Sequence, residues 1–285
     1  MSSGPEPGQS GQGRSVLITG CSSGIGLASA LALKDRGWRV LATARHADDL
    51  ARLKQDFGLE TLELELADPE SVARCMDDVD RLTDGQLFAV FNNGAYGQPG
   101  ALEDLDVAVV RQQFEVNVFA AHEITRRAVQ IMRANGTGRI VHCSSVLGLI
   151  AAPYRGAYCA SKFALEAMAD TMRLELAGTG IFISLIEPGP IDTRFLDHAM
   201  AAARANVDIE GSVHSERYKS IIAGMEKGGK QFFKLPPEAV AKKLIHAVES
   251  RRPKRRYYVT TPTYIVAAAR RLLPTSALDW FAARN

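Results

Sequence analysis

Short apolar runs alternate with amphipathic helical stretches over the first two-thirds of the chain. Six strands are predicted, at residues 15–19, 39–44, 61–66, 86–91, 138–144 and 181–186, and a seventh at 257–259. Helical spacing fills most of the intervals between them. This order predicts an α/β fold, a doubly wound parallel sheet of about seven strands with helices on both faces. Ligands of such a fold bind at the carboxyl ends of the strands.

The spacing predicts helices at residues 27–36, 48–57, 71–82, 107–132, 157–176 and 236–250. Between residues 194 and 235 the periodicity is weak, and a long irregular segment beside a ligand crevice is typical of a lid. We therefore expect a disordered tail at 1–13 and a single α/β domain at 14–263, with a lid over the ligand crevice at 194–235. Residues 264–285 are expected to form an apolar and basic extension.

The charge balance and the spacing of the cysteines argue against some classes of function. Lys and Arg total 34 against 32 for Asp and Glu, a balance that does not favour nucleic-acid binding. The four cysteines lie far apart, and neither they nor the six histidines have metal-ligand spacing, so no metal site is predicted. The start of the chain has neither the apolar run nor the basic lead-in of a signal peptide, which leads us to expect a cytoplasmic protein with reduced thiols.

A glycine-rich segment joins the first predicted strand to the first predicted helix. Glycines let the backbone turn sharply and approach a pyrophosphate, and the helix N-terminus supplies free N–H groups. The alternative, an ordinary tight turn, is weakened by this placement between strand and helix. The residues expected to hold the phosphates are Gly20, Ser22, Ser23, Gly24, Ile25 and Gly26.

The end of the second predicted strand bears on the choice of dinucleotide. An acidic residue there binds the ribose 2′-hydroxyl of NAD, and the same charge would repel the 2′-phosphate of NADP. Here the chain reads Ala44-Arg45, with no acid before Asp48. Because a guanidinium binds phosphate in a bidentate manner, NADP(H) is the predicted cofactor. The alternative is that Arg45 is a solvated loop charge.

Tyr158 and Lys162 stand four residues apart in a predicted helix, on one helix face. A phenol has a pKa near 10, and a neighbouring ammonium group is expected to lower it so that Tyr158 exchanges protons during turnover.

These motifs together resemble the short-chain dehydrogenase/reductase superfamily, with its TGxxxGxG loop and YxxxK pair. The run of residues 158–166 is similar to the 17β-hydroxysteroid and retinol dehydrogenase branch, and residues 187–190 are similar to bacterial NADPH-dependent aldehyde reductases. The resemblance implies a Rossmann domain and a homo-oligomer. It also implies catalytic roles for Asn117 and for Ser145, with the adjacent Ser144 as the alternative to Ser145. It also implies further cofactor contacts, at Glu65, Leu66, Asn92, Gly94, Pro188, Gly189, Ile191 and Thr193, besides the catalytic Tyr158 and Lys162.

The expected reaction is hydride transfer between NADP(H) and a small hydrophobic aldehyde, ketone or alcohol. Apolar side chains expected to face the substrate include Tyr96, Leu147, Tyr154 and Phe195, and a steroid- or retinoid-like compound fits the resemblance. A non-catalytic dinucleotide sensor is the alternative, although it would be expected to have lost Tyr158 or Lys162. An epimerase is a third reading, disfavoured by the loop spacing.

A basic run at residues 251–256 precedes the apolar C-terminal extension. One hypothesis is weak peripheral contact with an anionic membrane. The alternative, a solvated charge run followed by a packed helix, is favoured because charge runs commonly lie on exposed surfaces.

Overall fold

The strands form one parallel sheet in this structure, a computed structural model that describes residues 13–226 and 234–283. The seven strands are β1 (Ser15–Ile18), β2 (Arg39–Ala44), β3 (Glu60–Glu63), β4 (Leu87–Asn92), β5 (Gly138–Cys143), β6 (Ile181–Glu187) and β7 (Arg256–Tyr258). Their spatial order is β3-β2-β1-β4-β5-β6-β7. The reversal between β1 and β4 opens a crevice at the carboxyl edge of the sheet. The predicted doubly wound fold is confirmed.

Helices cover both faces of the sheet, as right-handed crossovers require. They are α1 (Gly24–Lys34), α2 (Ala47–Phe57), α3 (Pro69–Thr83), α4 (Val107–Phe114), α5 (Ala120–Asn135), α6 (Gly156–Glu175), α7 (Phe195–Asn206), α8 (Ser215–Glu226), α9 (Glu238–Glu249), α10 (Thr261–Leu272) and α11 (Thr275–Ala282).

Two hydrophobic clusters fill the space between sheet and helices. Val16 and Ile18 of β1 point into one cluster, and Leu17 points into the other. All three side chains are fully buried, because a parallel sheet is covered on both faces. This explains why β1 reads as a continuous apolar run instead of an alternating one.

The stretch predicted as one helix at 107–132 is interrupted. Residues Glu115–Phe119 form a π-helical turn between α4 and α5. A π turn inserts one extra residue and rotates the following side chains, and such turns are frequent at functional sites. Asn117 lies in the middle of this turn and is buried.

The segment predicted as an irregular lid contains two helices, so the expectation of irregular backbone was wrong. Helix α8 is tied to the loop after β4: the Tyr218 hydroxyl donates to Asp104 Oδ2 (2.6 Å) and accepts from the Ala101 N–H (2.7 Å). These contacts stabilise a helix whose own amphipathic pattern is weak. Residues 227–233 of the predicted lid lie outside the described part of the chain, as do residues 1–12 of the predicted tail.

Strand β7 separates the basic run from the apolar extension. Arg256 pairs with Leu185 in β6, so residues 251–255 precede β7 on the side of the amino edge. Helix α10 starts beyond the carboxyl edge, where Val266 packs against Leu149. The basic run and the start of the extension therefore lie at opposite ends of β7. None of the helices within the described ranges combines the length and apolarity needed to cross a membrane.

Candidate active site

The glycine-rich loop folds back on itself between β1 and α1. Gly20 has a φ of +72°, which favours glycine, and a Cβ on Gly26 would lie 2.1 Å from the Gly20 carbonyl oxygen. Asn93 Nδ2 stabilises the loop by donating hydrogen bonds to the carbonyl oxygens of Thr19 (2.9 Å) and Gly20 (3.2 Å). Glycine at position 26 thus permits close packing of the loop on its helix.

The N-terminus of α1 opens into a large cleft at the carboxyl edge of the sheet. The cleft has a volume of about 1730 Å³, and its lining includes Ser22, Ser23, Gly24 and Ile25. The first N–H groups of a helix have no partner within the helix and carry positive potential. Together with the small residues of the loop they fit the pyrophosphate of a dinucleotide.

Two arginines approach the end of β2. Arg45 is exposed and lines the cleft, and its Nε contacts His46 Nε2 at 2.9 Å. Arg52, on α2, donates to the Ser22 carbonyl oxygen and pairs with Asp49 (3.3 Å). The sequence analysis did not identify Arg52, because a charge inside an amphipathic helix gives no local signal of a distant contact.

The predicted adenine-side contacts have different outcomes. Glu65, Leu66 and Gly94 line the cleft, and the Glu65 carboxylate also accepts from the Ala67 N–H (3.1 Å). The side chain of Asn92 is not brought to the cleft. It is buried under α5 and donates to Thr125 Oγ1 (3.0 Å), because successive side chains of a strand point to opposite faces of the sheet.

The catalytic side chains meet at the floor of the cleft. Tyr158 and Lys162 lie on α6, and the Lys162 ammonium group is 5.6 Å from the centre of the Tyr158 ring. Lys162 Nζ also donates to the Cys143 carbonyl oxygen at the end of β5 (2.8 Å). Ser145 follows two residues later and hydrogen-bonds Tyr158. The hydroxyl of Ser144, the alternative to Ser145, is buried without a partner among the described residues.

The expected lowering of the tyrosine pKa is corrected by the structure. Burial raises the pKa of Tyr158, and the hydrogen bond from Ser145 offsets only part of that rise. Burial also lowers the pKa of Lys162, partly offset by Cys143 and Glu166. Removing the phenol from water disfavours its charged form more than the nearby polar groups favour it. Tyr158 is therefore held protonated in this arrangement.

Asn117 is buried between the loop after β4 and the catalytic helix. Its Oδ1 accepts from the Tyr96 N–H (3.1 Å), and its Nδ2 donates to the Tyr96 carbonyl (2.9 Å) and to Ser161 Oγ (3.1 Å). Ser161 in turn donates to the Tyr158 carbonyl oxygen (2.7 Å). Asn117 thus connects the π turn to the backbone that carries the tyrosine.

The segment after β6 contributes to the wall of the cleft. Pro188, Gly189, Ile191 and Thr193 all line the cleft. A Cβ on Gly189 would lie 2.1 Å from Thr260 Oγ1, so glycine permits the start of α10 to pack closely here.

Three of the four side chains predicted to face the substrate reach the cleft: Tyr96, Leu147 and Phe195. The Phe195 ring lies 5.5 Å from that of Tyr158. Tyr154 instead packs against α8, with its hydroxyl 3.2 Å from His214 Nδ1. Its φ of +60°, uncommon outside glycine, turns it that way. Apolar cleft residues that the sequence analysis missed are Ile150, Leu196, Ile221, Pro262 and Val266.

Comparison with known proteins agrees with this geometry. Residues 14–203 match the family model described as short chain dehydrogenase. The chain belongs to the short-chain dehydrogenase family. It is 46% identical over 266 residues to the uncharacterized oxidoreductase YbbO of Escherichia coli K12, covering 93% of each chain. It is also 30% identical to the NADPH-dependent 3-dehydrocapnine reductase of Ornithobacterium rhinotracheale, covering 93% of this chain and 95% of that protein.

Among solved structures, a short-chain dehydrogenase from Streptomyces avermitilis superposes with a TM-score of 0.76 at 27% identity, covering 90% of this chain and 91% of that one. Membership of the short-chain dehydrogenase family makes the protein an oxidoreductase of the alcohol–carbonyl type that uses a nicotinamide dinucleotide. The close approaches at Gly20, Gly26 and Gly189 and the free helix N-terminus fit such a cofactor. No group of three metal-ligating side chains is found within the described ranges.

Proposed function

We propose that the protein is an NADP(H)-dependent carbonyl reductase that converts hydrophobic aldehydes or ketones into alcohols. The observation that carries the proposal is the buried Tyr158, whose pKa is raised by burial, at the floor of a cleft that also contains the dinucleotide loop. A protonated phenol is the form that carbonyl reduction requires, because the product alcohol gains a proton.

The preference for NADP(H) is supported by charge at the end of β2. Arg45 lines the cleft there, and Arg52 lies against the glycine loop at Ser22. Neither position carries the acid that favours NAD. A 2′-phosphate would gain charge-assisted hydrogen bonds from the guanidinium of Arg45. The similarity to an NADPH-dependent reductase agrees with this assignment.

Each catalytic side chain has a role that follows from its place. When bound, the reduced dinucleotide supplies the hydride. Tyr158 donates its phenolic proton to the carbonyl oxygen, and Ser145 donates a hydrogen bond to the same oxygen as negative charge develops. Lys162 binds the nicotinamide ribose and provides positive charge close to the tyrosine. Asn117 is a positioning residue, since it acts through Ser161 and the tyrosine backbone.

The substrate class is inferred from the outer part of the cleft. Leu147, Phe195, Ile221 and Val266 contribute apolar surface to the cleft that contains Tyr158. Such a lining favours a ligand with a hydrophobic body and one reactive polar group. An aliphatic or aromatic aldehyde or ketone fits, and a larger lipid-like carbonyl compound fits the size of the cleft.

We propose that α7 and α8 act as the substrate lid. Phe195 begins α7 beside the catalytic tyrosine, and Ile221 of α8 lies on the cleft wall.

The remaining cofactor contacts proposed are those of the glycine loop, of Glu65, Leu66 and Gly94, and of the segment after β6. A homo-oligomer, a cytoplasmic location and weak membrane contact stay predictions.

The test is the loss of reduced-nicotinamide absorbance with a panel of medium-chain and aromatic aldehydes, ketones and steroids. We expect turnover with NADPH that Tyr158→Phe abolishes and that Tyr264→Phe, at an exposed tyrosine on α10, leaves intact. Equal turnover by Tyr158→Phe would refute the assigned acid. NADPH binding without turnover across the panel would favour the non-catalytic sensor.

A further inference from the structure

One helical turn beyond Lys162, three carboxyl groups surround a single guanidinium in a partly buried cluster. Arg256 Nη2 donates to Glu166 (2.7 Å) and to Asp170 (2.9 Å), and its Nε donates to Glu187 (2.9 Å). The side chain of Glu187 is 0% exposed and that of Glu166 is 8% exposed. The proposed reaction gives none of these four residues a role.

The charges of this cluster do not balance. Asp170 has a second cationic partner, Arg173, at 3.1 Å. Glu166 and Glu187 therefore depend on Arg256 and, for Glu166, on the field of Lys162. Burying two carboxylates around one shared cation is costly, and a buried carboxyl group without its own cation takes up a proton instead.

Hydrogen bonding points to the same conclusion. Glu166 Oε1 and Glu187 Oε2 are buried, and neither has a donor among the described residues. The two carboxyl groups nevertheless lie within hydrogen-bonding reach of each other. Two ionised carboxylates have only acceptors, whereas a protonated carboxyl group can donate. A single proton would therefore allow the two carboxyl groups to hydrogen-bond to each other.

We propose that Glu166 and Glu187 hold one proton between them and that Glu166 is a positioning residue whose charge tunes the catalytic lysine. The role assigned to Lys162 rests on the proposed function, but the shared proton does not. Burial raises the pKa of Glu187 to about 8, the charge of Glu166 acts in the same direction, and Arg256 offsets part of the rise.

The surroundings of the pair are closely packed. Gly148 leaves the necessary space, since a Cβ there would lie 2.7 Å from Ser144 Oγ and 3.1 Å from Glu166 Cγ. Several ionisable groups face the pair from the elements packed around it. They are Lys162, Asp170 and Arg173 of α6, Arg256 and Tyr258 of β7, and Arg271 of α10, which acts through Tyr258.

The shared proton is tested by the pH dependence of stability. With a raised pKa, folded Glu187 keeps a proton that the unfolded chain releases above about pH 4.5. Its contribution to stability is therefore fully present below that pH and is lost as pH rises towards about 8. Glu187→Gln supplies a permanent neutral donor. We expect the Tm of the wild type to fall relative to that of Glu187→Gln between these pH values.

Glu175→Gln is the matched control, because Glu175 is an exposed glutamate on the same helix. Its Tm curve should run parallel to that of the wild type. Parallel curves for the wild type and Glu187→Gln would overturn the shared proton. Infrared spectroscopy of the wild type gives the same test without a variant: we expect the carbonyl stretch of a protonated carboxylic acid at pH 7 and its loss by about pH 10. Its absence at pH 7 would also overturn the proposal.

The positioning role is tested by the pH profile of kcat/KM in Glu166→Gln. The negative charge then lies on Glu187 of β6 instead of on α6, so the ammonium group loses the stabilising carboxylate on its own helix. We expect the alkaline limb to move down by about 0.5–1 pH unit, and that of Glu175→Gln to stay in place. Superimposed profiles would refute the positioning role. Absence of wild-type turnover would instead count against the proposed function and leave the stability test valid.

Discussion

Replacing Arg45 by alanine tests the proposed preference for NADPH over NADH at the residue expected to bind the 2′-phosphate. Arg45 directly follows β2, is exposed and lines the cleft. Its Nε contact with His46 leaves the two terminal nitrogens of the guanidinium available for a phosphate group. The variant removes these donors and one positive charge without altering the packed core.

The size of the effect follows from the chemistry of that contact. Hydrogen bonds between charged partners contribute about 1.5–3 kcal/mol, and about 1.4 kcal/mol corresponds to a tenfold change in affinity. We therefore expect NADPH binding to weaken by roughly 10- to 100-fold. Exposure to solvent and the positive charge of Arg52 nearby favour the lower part of that range. NADH lacks the 2′-phosphate, so its affinity should change less than about threefold.

The assay is the dissociation constant of each dinucleotide, measured by quenching of protein fluorescence, together with the ratio of kcat/KM for NADPH to that for NADH. Lys54→Ala is the matched control, because Lys54 is an exposed cation on α2 that does not line the cleft. Its ratio should stay within about twofold of the wild type. An unchanged ratio in Arg45→Ala, or an equal fall in Lys54→Ala, would refute a specific phosphate contact.

Three further predictions concern stability. Gly26→Ala forces a Cβ against the Gly20 carbonyl, so we expect a loss of about 1–3 kcal/mol in thermal unfolding together with weaker dinucleotide binding. Tyr218→Phe removes the hydroxyl bonded to Asp104, so we expect a loss of about 1–3 kcal/mol and faster limited proteolysis of α8. Burial lowers the pKa of His142 to about 4, so stability should fall as pH drops from about 6.5 to 4, by up to about 3 kcal/mol, and His142→Gln should remove that dependence.

Each of these has a control of the same type. Gly224→Ala adds a Cβ into open space on α8 and should keep or slightly raise the Tm. Tyr264→Phe alters an exposed tyrosine and should leave proteolysis unchanged. His46→Gln removes an exposed histidine and should retain the acid sensitivity of the wild type. Equal stability of Gly26→Ala and Gly224→Ala would contradict the close packing at Gly26. Equal acid sensitivity of His142→Gln and His46→Gln would contradict the effect of burial on His142.

The elements best predicted from the sequence are those whose signal is local. Strand β2 was predicted at its observed bounds, because a buried parallel strand is a continuous apolar run between polar segments. The glycine loop and the pair of Tyr158 and Lys162 were recognised because fixed spacing carries their chemistry. The π turn at Glu115–Phe119 was missed, since one inserted residue hardly disturbs the hydrophobic pattern of the flanking helices.

Features that depend on distant contacts were not predicted. The orientation of Tyr154 is set by its positive φ and by the rings of His214 and Tyr218, some 60 residues away in sequence. The helical state of the lid depends on hydrogen bonds from α8 to the loop after β4. The net pKa direction of Tyr158 depends on burial, which the spacing of two residues on a helix does not reveal.

Helix α6 carries residues of both the catalytic site and the carboxyl cluster around Arg256. Tyr158, Lys162, Glu166 and Asp170 follow one another at intervals of four residues, so they share a face of α6 that winds slowly round the helix. The first two face the cleft floor, and the last two meet Arg256 at β7. Because Lys162 is buried, its charge responds to neighbours that an exposed lysine would hardly sense. A substitution far from substrate but on this face should therefore change the pH dependence of turnover, whereas an equally distant substitution on another face of α6 should change only stability.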